Sequence, residues 1–533
     1  MERRAFIEAG VVAATAAGLS SSALGEGAPP APQPPQGVVV SPFEIEEMGL
    51  AALRAAIDRG RFSARRLCEL YLARIDAIDR SALHAVIEVN PDALAIAEEL
   101  DRRPAAGRGS LHGIPILVKD NIDTADRMAT SAGSLALAAG HAPRDAFVVT
   151  RLRDAGAVIL GKTNLSEWAN FRGSPSLSGW SGRGGQTRNP YALDRNPCGS
   201  SSGSGVAVSA NLAAAAVGTE TDGSIVCPCG INGVVGIKPT LGMVSRSGII
   251  PIAHSQDTAG PMARTVADAA LLLEAMAVAD PGDAITTSAR VPSVRDLDPR
   301  RIKGARIGIV RHYFGGSPAV DGVMEEAIAA LKSAGAEIVD PVVLPHVGEY
   351  DEAELEVLLY EFKADLNAYL GARGVEGAKS LEELIRFNEA NRDRELSVFG
   401  QELFLKAQAK GPLTEKPYLD ALAKSKRFAG AEGIDAAVKA HRCAALLAPT
   451  NGPAWLTGRR QRRSPRHHRL LIGGGGRGTP HVTVPAGPVR GLPIGLSLFG
   501  PAWSEPTLLS LALAFEQETR ARRPPKLLPY VGS

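Results

Sequence analysis

This sequence is poor in cysteine, in net charge and in long apolar runs. Five cysteines in 533 residues cannot staple a fold of this size, so its stability must come from a packed core. Lysine and arginine (59) nearly balance aspartate and glutamate (57), and the formal charge of +2 points to no partner class. Beyond the amino terminus no segment is long and apolar enough to cross a bilayer. Metal-ligand spacings are missing as well: HExxH does not occur, and Cys227-Pro228-Cys229 stands alone. The glycine-rich run at 473–478 is not followed by G-K-S/T, which excludes a phosphate loop.

A hydrophobic content of 45% with 22% charged residues is ample for a core. Abundant glycine (57) and proline (37) favour many tight loops around a sheet over a helical bundle. The first residues are of another kind. Arg3-Arg4 precedes Phe6-Ile7 and an uncharged, small and apolar stretch from Ala9 to Leu24. Residues 1–25 read as a twin-arginine export signal with its cleavage region at Ala23-Leu24-Gly25, which predicts an exported, periplasmic protein. A membrane anchor or amphipathic helix is the competing reading, but the stretch is short and diluted by Ala, Gly and Ser. Residues 26–41, with Pro29 to Gly37 at their centre, form an extended linker that cannot pack, leaving 42–533 as one domain.

Apolar spacing predicts a helix over Glu44–Arg59, stopped by Gly60, and a second one capped by Ser63. Short apolar runs predict strands at Gly113–Val118 and Ala157–Leu160 with a helix over Asp145–Ala155. The run 206–217 reads as a buried helix entering a strand that ends near Gly218. A βαβ unit is expected from Ala305–Val310, Val323–Ala334 and Ala336–Val339. Helices dominate from Glu352 to about Ala440, and strands return at Ala444–Leu447, His481–Val484 and Leu492–Leu498. Strands alternating with helices throughout predict a single α/β domain built on one large mixed sheet covered by helices on both faces.

One segment breaks the pattern. Leu456–Gly478 is crowded with arginine, histidine and glycine and has no acid, between flanks of ordinary character. A basic cluster can mark nucleic-acid binding. Its sharp edges instead suggest a locally shifted reading frame in a GC-rich gene, and no nucleic-acid partner is expected. Cys198, Cys227 and Cys229 read either as buried small hydrophobes or as a bond between Cys198 and one of the other two.

Chemistry concentrates in two small-residue loops. Cys198-Gly199-Ser200-Ser201-Ser202-Gly203-Ser204-Gly205 is followed by Gly218-Thr219-Glu220-Thr221-Asp222-Gly223-Ser224, and Lys119 ends an upstream apolar run. Small residues let backbone N–H groups approach a reacting oxygen, so one lysine and two serines on such a frame point to acyl transfer without histidine, metal or cofactor. Ser224 is the candidate nucleophile, Lys119 the base and Ser200 a two-way proton relay between them. A lysine titrates near about 10.4, whereas a base at neutrality needs about 7 to 8, and burial shifts it in that direction. Asp120 would oppose the shift, so its carboxylate is expected to point outward. Gly199-Ser200-Ser201-Ser202-Gly203 also satisfies G-x-S-x-G, a nucleophile elbow centred on Ser201. That rival needs a histidine, and His254, His312, His346, His441 and His481 all lack a telling context.

Together these residues resemble the amidase signature family. The resemblance runs from about Ala51 to Pro529 and includes Gly113 to Asn121, both loops, Gly236-Ile237-Lys238-Pro239-Thr240 and Ser255 to Arg264. It implies a Lys119–Ser200–Ser224 triad, with Ser200 on a cis peptide bond and backbone groups of Thr221, Asp222, Gly223 and Ser224 as the oxyanion hole. Asp222 stands where most members have glycine. With Tyr360-Glu361-Phe362-Lys363, it makes the chain similar to the bacterial peptide amidase branch, whose enzymes release ammonia from C-terminal peptide amides. The export signal argues against an amidotransferase A-type subunit, which works in the cytoplasm with tRNA. An inactive member binding polyanions through Arg459 to Arg469 is the reading from another class.

Overall fold

A computed structural model describes residues 41–174, 176–286, 293–458 and 478–531. The segment expected to be an export signal, all but the last residue of the expected linker, and residues 459–477 of the basic segment lie outside the described residues. Thirteen strands are described: β1 (Val86–Val89), β2 (Pro115–Lys119), β3 (Val158–Thr163), β4 (Trp180–Ser181), β5 (Gly185–Gln186), β6 (Ala215–Glu220), β7 (Val235–Lys238), β8 (Thr258–Ala263), β9 (Arg306–Ile309), β10 (Glu337–Val339), β11 (Ala445–Pro449), β12 (His481–Val489) and β13 (Leu492–Phe499).

Eleven of them join in the order β1-β3-β2-β6-β8-β7-β12-β13-β11-β9-β10, and β4 pairs with β5 in a separate ribbon. The sheet is mixed. β3, β2 and β6 run parallel at one side, β11, β9 and β10 at the other, and antiparallel pairs fill the centre. Every residue of β2, β3, β6, β8 and β13 is buried. Successive side chains leave a strand on opposite faces, so both faces of this sheet are covered.

Local signals explain most elements. The Ser63 hydroxyl accepts from the N–H of Arg66 and starts the helix Ala64–Arg74. The buried helix is Ser202–Ser209, and the strand after it, β6, reaches Glu220 rather than stopping near Gly218. The βαβ unit forms as β9, the helix Pro318–Ser333 and the parallel β10. The first helix is shorter than its apolar spacing predicts: it spans Leu50–Asp58, because Glu47 holds a left-handed φ of 57° while its carboxylate binds Arg522 and Asn211. β1, β7 and β8 had no distinctive periodicity. A second apolar cluster joins the helices Asp351–Arg373, Leu381–Ala390 and Glu402–Gln408 around Phe362, Phe404 and Trp168.

Candidate active site

Lys119 is the last residue of β2, between β3 and β6, and it is fully buried. Its Nζ donates to Ser200 Oγ at 2.9 Å, to Thr219 Oγ1 at 2.8 Å and to the Thr219 carbonyl at 3.3 Å. Burial pushes this amine down to about 7, against the opposing pull of the Asp257 and Glu220 carboxylates. Two other lysines are fully buried, Lys162 and Lys238. Lys162 lies on β3 opposite Val118, so its side chain leaves the sheet on the face opposite to Lys119. There it donates to the Ile122 carbonyl at 2.6 Å and to Thr130 Oγ1 at 2.7 Å. Lys238 donates to the Thr479 carbonyl at 2.6 Å. Of the three, Lys119 is the one that meets Ser200.

Ser200 follows a cis Gly199–Ser200 peptide. A side chain at Gly199 would stand 2.2 Å from Ser166 Oγ and 2.7 Å from Ser202 Oγ, so the turn has room only for glycine. The next residue, Ser201, ties the two loops together. Its N–H donates to the Ser224 carbonyl at 3.1 Å and its hydroxyl to the Thr219 carbonyl at 3.0 Å.

The second loop leaves β6 at Glu220 and turns at Gly223, whose φ is +73°. The Glu220 carboxylate then accepts from the N–H groups of Ile225 (2.7 Å) and Val226 (3.0 Å), starting the helix Val226–Ile231 directly after Ser224. Among the described residues, the N–H groups of Gly223 and Ser224 donate to no acceptor. Thr221 is buried, Asp222 is half-buried on the loop, and Ser224 remains 7% exposed. No hydrogen bond links the Ser224 hydroxyl to Ser200 among the described residues. A Cys198–Cys227 disulfide joins the first loop covalently to the helix that follows the second, and Cys229 stays a buried thiol. Of the two readings of these cysteines, the bond holds for one pair and the hydrophobe for the third.

A cavity of about 420 Å³ opens beside Thr219 and Thr221, walled by Ile250, Pro251, Ile252, His254 and Asp257 and by Asp365 and Ala368 of the helix Asp351–Arg373.

The family follows from the whole chain. The amidase family model matches residues 66–509. The chain belongs to the amidase family. This amidase is 41% identical over 503 residues to a probable amidase of Arabidopsis thaliana, covering 92% of this chain and 93% of the relative. It is 52% identical to the native peptide amidase of Stenotrophomonas maltophilia, with a TM-score of 0.84 over 91% of this chain and 99% of that one. A structure of peptide amidase in complex with the competitive inhibitor chymostatin gives 52% identity and a TM-score of 0.85, covering 91% and 100%. The A-type subunit of the glutamyl-tRNA(Gln) amidotransferase of Alkalilimnicola ehrlichii is 35% identical over 89% of this chain and 98% of its own.

One expectation for the site is overturned. Asp120 does not point outward: it is fully buried, accepts from Ser131 Oγ and from the Gly133 N–H at 3.1 Å, and pairs with Arg183 at 3.4 Å. Those donors hold its carboxylate, so the amidase leaves Lys119 to its own serine and threonine. The elbow reading centred on Ser201 also finds no histidine. Among the described residues no hydrogen bond joins a histidine to Ser200, Ser201 or Ser224; His481 binds Ser497 at 2.5 Å, and burial with nearby Lys238 pushes it down to about 3. Sequence reasoning passed over Thr219, Asn121 and Asp257. Asn121 Nδ2 donates to Thr219 Oγ1 at 3.0 Å, and Asp257 accepts from Thr221 Oγ1 at 2.6 Å. All three stand inside the stretches that carried the family resemblance, which was the signal available for them.

Proposed function

We propose that this amidase hydrolyses the C-terminal carboxamide of peptides and releases ammonia, with Ser224 as nucleophile, Ser200 as relay and Lys119 as base. The observation that carries the reading is the 2.9 Å contact between Lys119 Nζ and Ser200 Oγ, where burial brings the amine near 7. As an ammonium Nζ donates across this contact; as the neutral amine it turns its lone pair to Ser200, whose hydroxyl then donates. On attack, the Ser224 proton passes to Ser200 Oγ as the Ser200 proton passes to Lys119 Nζ, and Ser224 Oγ bonds the amide carbon. The N–H groups of Gly223 and Ser224, which have no other acceptor among the described residues, suit the oxyanion; one such donor is worth about 10² to 10³ in rate. The proton then returns from Lys119 through Ser200 to the nitrogen. Ammonia leaves, and an acyl group stays on Ser224. Water attacks that ester over the same relay, and the peptide acid is released.

The peptide amidase of Stenotrophomonas, at 52% identity, supports peptides as the substrate class, with Thr221, Asp222 and Gly223 presenting the loop that meets the scissile amide. Arg3-Arg4 and the stretch to Leu24 support export, and a Cys198–Cys227 disulfide suits an oxidising compartment. Ammonia release from a dipeptide amide tests the activity. Ser224→Ala is expected to lower kcat by at least about 10³-fold, and an unchanged rate overturns the triad. Residues 1–25 fused to a reporter should reach the periplasm only in cells with an intact twin-arginine pathway.

A further inference from the structure

The strap His254-Ser255-Gln256-Asp257 connects two parts of the molecule that the chemistry does not otherwise join. On one side it is tied to the helix Asp351–Arg373. The His254 N–H donates to Asp365 at 3.0 Å, the Ser255 N–H to Glu361 at 2.9 Å, and Gln256 Nε2 to Glu354 at 2.8 Å. On the other side Asp257 grips the second loop, where Oδ1 accepts from Thr221 Oγ1 at 2.6 Å. Oδ2 accepts from the N–H groups of Ile252 (2.7 Å) and Ala253 (2.9 Å), at the cavity wall. One carboxylate therefore spans the cavity wall and the loop that ends at Ser224.

We infer that Asp257 is a positioning residue for hydrolysis: it holds Thr221, and with it the N–H groups of Gly223 and Ser224, in register with the cavity where substrate lies. This rests on the reading of Ser224 as nucleophile and Lys119 as base. Ser201 and Glu220 hold the two ends of this loop and Asp257 holds Thr221 between them, where the cost of a misplaced reacting group is steep, about 10² per ångström. The same carboxylate acts on Lys119 through space. Lys119 is faced by two charged groups, Asp257 and Glu220, both of which favour its protonated form against burial. Asp257 is in turn faced by Lys119, by Asp365 from the helix and by Arg246 across the cavity. Removing the Asp257 charge therefore makes Lys119 lose its proton at lower pH.

Kinetics of ammonia release from a dipeptide amide test this with Asp257→Asn, Thr221→Val and the double variant, each checked for wild-type circular dichroism. Asp257→Asn is expected to lower kcat by about tenfold to a hundredfold. It should also move the acidic limb of the kcat/KM profile to lower pH by about one unit. Thr221→Val should lower kcat similarly but move the limb less than Asp257→Asn does, because the carboxylate stays in place and loses only the Thr221 hydrogen bond that favours its charged form. The double variant should be no slower than the slower single one, since both lose the same bond. A wild-type limb in Asp257→Asn, or kcat within about twofold of wild type, overturns the inference. If Asp257→Asn does not fold, a wild-type kcat in Thr221→Val overturns it. Ser224→Ala separates the two layers: if it is inactive while Asp257→Asn behaves as wild type, the positioning role alone fails, whereas an active Ser224→Ala brings down the triad beneath it.

Discussion

A lysine buried as Lys119 is stays neutral over much of the working pH range, and this sets both its basicity and its cost to the fold. Its folded-state pKa of about 7 lies below the ordinary 10.5, so between those values the unfolded chain binds more protons than the folded one. Stability therefore rises with pH across that window, and the full cost, on the order of 5 kcal/mol, is felt near pH 7 and below. Lys119→Met should abolish hydrolysis yet raise the melting temperature at pH 7, with the gain shrinking toward pH 10; calorimetry at both values reads it, and equal gains at both would count against a neutral buried amine. For the wild type, kcat/KM should climb as pH rises through about 7 and then level, because only the free amine can take the Ser200 proton. Lys119→Arg should lose the activity, since a guanidinium does not deprotonate.

Two loops and a short helix make the reacting element. Ser200 and Ser224 belong to different loops whose placement comes from Ser201, which bonds the carbonyls of Ser224 and Thr219, and from Glu220, which starts the helix Val226–Ile231. The Cys198–Cys227 bond closes a span of 29 residues around both loops. Closing a loop of that size restricts the unfolded chain and is worth about 2–4 kcal/mol. The double variant Cys198→Ser/Cys227→Ser should lose stability of that order in a urea titration. Its kcat for ammonia release should fall too, because the same bond sets the spacing of the loops. Reduction by dithiothreitol of the unfolded wild-type chain before refolding should reproduce both effects.

At the scale of the whole molecule, a sheet carries the chemistry and a helical layer walls the cavity. The helix Asp351–Arg373 anchors that layer through Phe362, fully buried with its ring 4.9 Å from Phe171 and 5.4 Å from Phe404. Phe362→Ala should cost about 3–5 kcal/mol in denaturant unfolding. It should raise KM more than it lowers kcat, since Asp365 and Ala368 of this helix wall the cavity while Lys119 and the serines stand on the sheet side. Much of this architecture was legible locally. The Ser63 cap, the strand ending at Lys119 and the βαβ unit depend on neighbours within a few residues, and apolar spacing reports those directly. The first helix was overestimated because Glu47 leaves the helical region to reach Arg522, a partner that spacing cannot reveal. By itself the sequence determined the family, the two small-residue loops and the residue types able to move a proton between them. Only the tertiary structure decided that Lys119 and Lys162 leave the sheet on opposite faces, that Asp120 turns inward to Ser131 and Arg183, that Cys198 pairs with Cys227, and that Asp257 closes on Thr221. Each of these depends on strand register or on partners far apart in the chain, and side-chain chemistry alone does not specify which distant group will be there to meet it.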